Sequence, residues 1–274
     1  MKHIETTIDL TTMSRNTELS YEERRRIRKE WLQRDCNKAN SEQGQLEGYD
    51  CLECLNRGFI HTIHEGSIVV RECQCSAIRA DMRRISDSGL SGLLNSCTFD
   101  SFQTPDRWHQ HMKSLALRFV DDATDGKWFY AGGQIGSGKT HLCTAIVGKF
   151  LHSGKAARYM LWRDYAVQIK ASVNDAAEYS GLINPLKFVD VLYIDDLFKT
   201  GTGKAPTPAD VNIAFEILNH RYINRQLITI LSSEWGINDL LDIDEAVGSR
   251  IFERTREFCL YVERDKSRNW RLRK

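Results

Sequence analysis

The chain has 274 residues, 41% of them hydrophobic and 27% charged, and its 38 basic and 37 acidic side chains leave a net charge of +1. That is enough chain for a buried core and, at about 150 residues per domain, for two domains or one with an appendage. Bulk charge neither demands nor excludes nucleic acid, so any such claim must rest on local patches. No apolar run approaches the roughly 20 residues of a membrane span, and no signal-like apolar stretch opens the chain. A membrane protein is excluded on this reading, and a cytoplasmic location is expected. The eight cysteines then read as metal ligands and free thiols, not as a disulfide scaffold.

Residues 1–47 form a polar segment with one helical signal, Tyr21–Arg34. Ser20, three residues before Glu23, makes a capping box. Ile27, Trp31 and Leu32 share one face, while Arg24, Arg25, Arg26, Arg28 and Lys29 occupy much of the rest. Such a helix either packs on its own domain or docks a partner.

Residues 48–90 hold a cysteine module and a linker. Cys51, Cys54, Cys73 and Cys75 are spaced C-x₂-C-x₁₈-C-x-C, two close pairs separated by a loop. Four thiolates so arranged can surround Zn²⁺ tetrahedrally. Phe59–Val70 reads as a small hairpin between the pairs, and Ala77–Arg84 as a short basic helix leaving them. Metal should supply much of the stability of so small a unit. A Ser- and Gly-rich stretch then places the domain boundary near residue 90.

Across residues 91–274 helical and strand patterns alternate. In chain order they are a helix at His109–Asp121, a strand at Lys127–Ala131 and a helix at Thr140–Leu151 that stops near Gly154. Strands at Ala157–Trp162 and Phe188–Ile194 follow, then a helix at Ala209–Asn224 and a strand at Leu227–Leu231. Between them Thr200–Pro208 reads as an exposed loop. This alternation predicts an α/β domain with a mostly parallel sheet.

Gly133, Gln134, Ile135, Gly136, Ser137, Gly138, Lys139 and Thr140 complete the pattern G-x-x-x-x-G-K-[ST], after a strand and opening a helix that continues with His141. The glycines let successive N–H groups turn inward as an anion nest, where the helix N-terminus adds its positive dipole end. Lys139 brings a full charge to the β- and γ-phosphates of ATP, and the Thr140 hydroxyl ligates Mg²⁺. Asp195 and Asp196 end an apolar strand, where ligands of open α/β sheets bind. Asp195 is expected near Mg²⁺ and Asp196 beside the attacking water, which makes the domain an ATPase. Ser232, Ser233 and Glu234 end another strand as polar groups for γ-phosphate or water. Arg250 and Arg254 lie i, i+4 on one helix face, either of them a candidate to reach a neighbouring subunit's site.

Together these motifs resemble the DnaC/DnaI-type replicative helicase loaders, in the phage and Gram-positive form with an N-terminal zinc module. The resemblance runs through the cysteine module, TFDSF, GQIGSGKTH, LYIDD, the SSE strand end and GSRIFER. It also touches the IstB transposition ATPases, which share the second half but generally lack the cysteine module. It implies an AAA+ fold with strand order 5-1-4-3-2, self-association through the ATPase domain, single-stranded DNA binding, and delivery of a hexameric helicase. By position it places Ser233 at the sensor polar group and Arg271 near a second sensor arginine. Phe99 and Phe102 border the adenine or pack the linker. The basic run Arg264–Lys274, with Trp270 inside it, either tracks a DNA backbone or stays solvated. Alternative readings are an IstB-like transposition helper and a non-hydrolysing helicase-binding adaptor or inhibitor.

Overall fold

A computed structural model of the chain describes residues 20–47, 49–123, 126–201 and 204–272. The polar stretch before Ser20, part of the Thr200–Pro208 loop, and Arg273 and Lys274 of the basic run lie outside the described residues. The chain divides into two compact units, Met1–Met82 and Arg83–Lys274. The division falls inside a helix, earlier than the linker near residue 90. The reason is local: Leu90 is buried in the core of the second unit, and Tyr159 N–H donates to the Ser88 carbonyl at 2.7 Å.

In the first unit, α1 (Tyr21–Asn40) has the expected capping box, Glu23 N–H on Ser20 Oγ and Ser20 N–H on the Glu23 carboxylate. Its buried residues are Leu32 and Cys36, whereas Ile27 and Trp31 are exposed. The contact stripe runs later than the sequence suggests because the helix continues to Asn40. There Asn40 Nδ2–H and the Cys36 thiol both reach the His61 carbonyl, at 2.8 and 2.9 Å. His61 belongs to β1 (Phe59–His64), which pairs antiparallel with β2 (Ser67–Glu72) as the predicted hairpin. Helix α2 (Cys75–Asp87) follows directly.

The second unit continues with α3 (Ser91–Leu94), α4 (Arg107–Asp122), β3 (Trp128–Gly133), α5 (Lys139–His152) and β4 (Ala157–Leu161). Then come α6 (Trp162–Ala171), α7 (Ala176–Phe188), β5 (Val191–Asp195), α8 (Pro208–Ile223) and β6 (Ile228–Ser232). Helices α9 (Ile237–Ile243) and α10 (Glu245–Thr255), strand β7 (Cys259–Val262) and two 3₁₀ turns, Lys266–Arg268 and Trp270–Leu272, complete it. The sheet order is β4-β5-β6-β3-β7, with every neighbouring pair parallel. Numbered along the chain from β3, that is the 5-1-4-3-2 order the resemblance implies. Among the described residues no helix is long and apolar enough to cross a membrane.

Side-chain alternation along the strands builds a core on each face of the sheet. Phe129, Ala131, Val191, Tyr193, Ile228 and Ile230 face α4 and α5. Trp128, Tyr130, Leu192, Ile194 and Leu231 face the residues of α6 through α10. Phe188 ends α7 instead of opening a strand. The strand starts later because Asp190 accepts from both sides, Ala156 N–H on its carboxylate and Ile228 N–H on its carbonyl. Helix α7 carries Pro185 in its interior, which disguised it in the sequence.

Beneath this layer Arg221 is fully buried. Its guanidinium donates to Thr229 Oγ1 at 2.9 Å, and to the carbonyls of Leu186, Val189 and Ile228 at 3.1, 2.9 and 2.6 Å. It thereby ties the end of α7 and the start of β5 to β6. Arg221→Met would orphan these buried acceptors, at about 1–3 kcal/mol for each one left unsatisfied. We expect a loss of about 3 kcal/mol, seen as a thermal midpoint lowered by roughly 6–12 °C. An unchanged midpoint would show that water or a backbone shift replaces the staple.

Candidate nucleotide site and metal centre

The phosphate loop joins β3 to α5, and Gly133, Gly136 and Gly138 all have left-handed φ, between 72° and 96°. At two of them close approach matters as much as φ. A Cβ on Gly133 would collide with the Val262 carbonyl, and one on Gly136 with the Asn269 side-chain amide. The Lys139 ammonium lies across the loop, donating to the Gly133 and Gln134 carbonyls at 2.9 and 2.7 Å. Burial lowers its pKa from the usual lysine range.

Asp195 is buried and gathers four hydroxyls. Thr140 Oγ1 lies 3.2 Å from Oδ1, Tyr193 OH 2.7 Å from Oδ1 and Tyr159 OH 3.0 Å from Oδ2, and Ser232 Oγ also reaches Oδ1. Burial first, and the nearby carboxylate besides, hold both phenols above the ordinary tyrosine pKa, so they remain donors. Thr140 and Asp195 thus present adjacent hard oxygen atoms of the kind Mg²⁺ takes.

Asp196 lies on the wall of a cavity of about 430 Å³ that opens over the loop. Ile135, Gly136, Ser137, Gly138, Lys139, Thr140, His141 and Arg271 line the same space. Gly133 and Gln134 line a neighbouring cavity of about 760 Å³. At one end of the first cavity Phe102, His109 and Trp270 form an aromatic wall, with His109 edge-on to Trp270 at 5.6 Å. Phe99 instead is part of the core behind α5.

One expected position differs. Ser233 is fully buried, its hydroxyl donating to the Leu197 carbonyl at 2.7 Å, and it is Glu234 that lines the cavity. Alternation explains this: Ser232 points at Asp195, so the next residue points away. Arg250 and Arg254 lie outside this chain's own cavity. Arg250 donates to Asn219 Oδ1 at 3.1 Å and to the Ala246 carbonyl at 2.6 Å. Arg254 donates to the Tyr222 carbonyl at 2.6 Å and stacks over the Tyr222 ring at 4.4 Å.

Lys199 carried no signal in the sequence, yet it lines the cavity and forms ion pairs of 2.8 Å with both Asp196 and Glu234. Burial pulls its pKa down, but the two carboxylates outweigh that and hold it above the ordinary lysine value. The basic run is also placed differently from a solvated tail. Asp265 N–H donates to Gln134 Oε1 at 2.9 Å and Trp270 N–H to the Gly136 carbonyl at 2.8 Å. The segment therefore straps across the phosphate loop.

In the first unit the four predicted cysteine sulfurs lie within 4.8 Å of one another. Cys51 and Cys73 are 3.7 Å apart, and Cys54 and Cys75 3.5 Å. Thiolates at about 2.3 Å around tetrahedral Zn²⁺ sit about 3.8 Å from each other, so the donors fit that ion. Left-handed Leu55 and Asn56 form the knuckle, which aims Gly58 N–H at Cys54 Sγ, 3.3 Å away. Burial raises all three buried thiols, pushing Cys73 up to about 12; at Cys54 the donated bonds overcome it, leaving about 6.

Residues 67–274 match the family described as IstB-like ATP binding protein. The phage-like element PBSX protein XkdC of Bacillus subtilis (strain 168) is 31% identical over 225 residues, 78% of this chain and 83% of that protein. The replicative helicase loader DnaC of Buchnera aphidicola subsp. Acyrthosiphon pisum is 24% identical over 118 residues. That match covers 42% of this chain and 48% of the loader, so the chain spans about half of that relative's length. The solved structure of DnaI superposes with a TM-score of 0.51 at 22% identity, covering 63% of this chain and 93% of that one. Such a likeness speaks for the fold, that of an AAA+ P-loop ATPase. The family match begins within β2, leaving Cys51 and Cys54 outside it. A match over most of the chain, on the same strand–loop–helix that builds the cavity, shows that the chain belongs to the IstB-like ATP binding protein family.

Proposed function

We propose that this chain is an ATP-dependent loader that binds a replicative hexameric helicase and delivers it to single-stranded DNA in the cytoplasm. The observation that carries the reading is a four-thiol unit ahead of an AAA+ domain whose own family match leaves half of the thiols out. The resemblance to the IstB transposition ATPases, which generally lack such a cysteine module, does not account for that unit. In the ATP-bound state Lys139 and the loop N–H groups would hold the β- and γ-phosphates, and Thr140 and Asp195 would hold Mg²⁺, which screens phosphate charge. Asp196 would orient the attacking water, Arg271 would approach the phosphates, and Trp270, His109 and Phe102 would border the base. Arg163, Lys204 and Arg264 line the second cavity, a basic surface suited to a DNA backbone. The second reading, an IstB-like transposition helper, is favoured by the family match itself.

The test is co-sedimentation of the purified chain with the host's replicative helicase and with a transposase, with and without Mg–ATP. Nucleotide-dependent capture of the helicase, and not of the transposase, is expected. Lys139→Ala should abolish this capture by removing the loop's full charge while leaving the fold intact. ATP affinity within about threefold of the unaltered chain, roughly 0.65 kcal/mol, would overturn the site assignment. Capture of the transposase alone would overturn the loader.

A further inference from the structure

After β5 the chain turns sharply. Asp196 and Phe198 have φ of 56° and 61°, a region that residues with side chains seldom occupy. Backbone of this kind persists where its surroundings over-determine it, and it clusters at functional sites. Here the Phe198 ring is buried edge-on against Trp162, with ring centroids 5.3 Å apart. The Phe198 carbonyl accepts Trp235 Nε1–H at 3.3 Å, and Leu197 N–H donates to the Ser232 carbonyl at 2.8 Å. Lys199 N–H closes the turn on the Asp196 carbonyl at 2.9 Å.

The consequence is that the Lys199 side chain folds back over the strand end, onto Asp196 and Glu234. Its ammonium bridges two carboxylates on the wall that also bears Lys139 and Thr140. The bridge is not sealed in. The Lys199 side chain is 39% exposed, so exchanging one anionic partner for another requires no unpacking. Two carboxylates facing the mouth of a phosphate loop would repel a triphosphate unless a cation answers them. A diphosphate, one phosphoryl group shorter, competes for that cation less well.

From this geometry we infer that Lys199 senses the terminal phosphate. Without it the ammonium holds Asp196 and Glu234 together; with a triphosphate it transfers to a γ-phosphate oxygen and releases the Asp196 carboxylate for water. The inference rests on the reading of the cavity as an ATP site. Lys199 thereby determines the preference for triphosphate over diphosphate, a role separate from the general attraction that Lys139 supplies.

The test is calorimetric titration of the full chain with Mg–ADP and with a non-hydrolysable Mg–ATP analogue. Losing one charge-assisted contact to γ-phosphate should cut the triphosphate preference of Lys199→Met about tenfold. ADP affinity should stay within about threefold on the same scale. Lys199→Arg should restore most of the preference. Glu234→Gln should shift it the other way, because Lys199 then has one competitor fewer. An unaltered triphosphate-to-diphosphate ratio in Lys199→Met would overturn the proposal. So would equal weakening of both nucleotides with a lowered thermal midpoint, the mark of a merely structural lysine. An unaltered chain that binds neither nucleotide would instead fail the ATP-site reading, and the sensor with it.

Discussion

Mixing Arg250→Ala with Asp196→Asn, each expected to be inactive alone, should restore part of the ATPase activity. Arg250→Ala keeps its own phosphate loop and acid pair, and should bind ATP with unchanged affinity. It should lose most hydrolysis, since an arginine acting on a neighbour's transition state is typically worth about 10³–10⁵ in rate. Asp196→Asn fails for the opposite reason, having a disabled site but an intact arginine. If the chain assembles through head-to-tail contacts, random mixing would give roughly one interface in four that pairs a good site with a good arginine. The structure supports testing Arg250 before Arg254. Arg250 holds a side-chain amide and a carbonyl of its own helix. Arg254 grips the Tyr222 carbonyl, with its Nε buried and its Nη1 beside Gly126, so its removal also threatens the fold. A mixture that co-assembles yet stays inactive would show that Arg250 does not act across an interface, and Arg254 would take its place in the same experiment.

Removing the metal should have the largest effect on stability. The buried apolar cluster around the hairpin consists of Ile60 and the cysteines themselves, so area burial can contribute little there. Structural Zn²⁺ contributes apparent free energies of about 10–16 kcal/mol in units of this size. One zinc per chain is therefore expected in freshly purified protein, held by Cys51, Cys54, Cys73 and Cys75. Cys54→Ser should release it and melt the β1–β2 hairpin, while Mg–ATP binding by the second unit survives. Metal release should also follow acidification, because each ligand must be deprotonated to bind. Metal analysis that finds no zinc, or full zinc retention in Cys54→Ser, would refute the ligand set.

By itself the sequence determined whatever depends on near neighbours along the chain. The phosphate loop was legible because its chemistry is backbone chemistry, and glycine spacing before a helix specifies it. The two cysteine pairs were legible because thiols a few residues apart leave little choice of partner. The alternation of strands with helices gave the α/β class, though not α7, whose internal Pro185 argues locally against a helix that tertiary packing nonetheless holds. What only the tertiary structure decided are contacts between residues far apart in sequence. Strand pairing sets Tyr159 of β4 beside Tyr193 of β5 and so delivers both phenols to Asp195. Parallel alignment of β5 and β6 brings Glu234 to Asp196, and a left-handed turn between Asp196 and Lys199 adds the cation that neither strand pattern announces. The anchoring of the basic run near the C-terminus was not legible because its partners, Gln134 and Gly136, are backbone and amide groups of the phosphate loop. Such hydrogen bonds leave no periodicity to read; they exist only once β7 has carried the chain back beside β3.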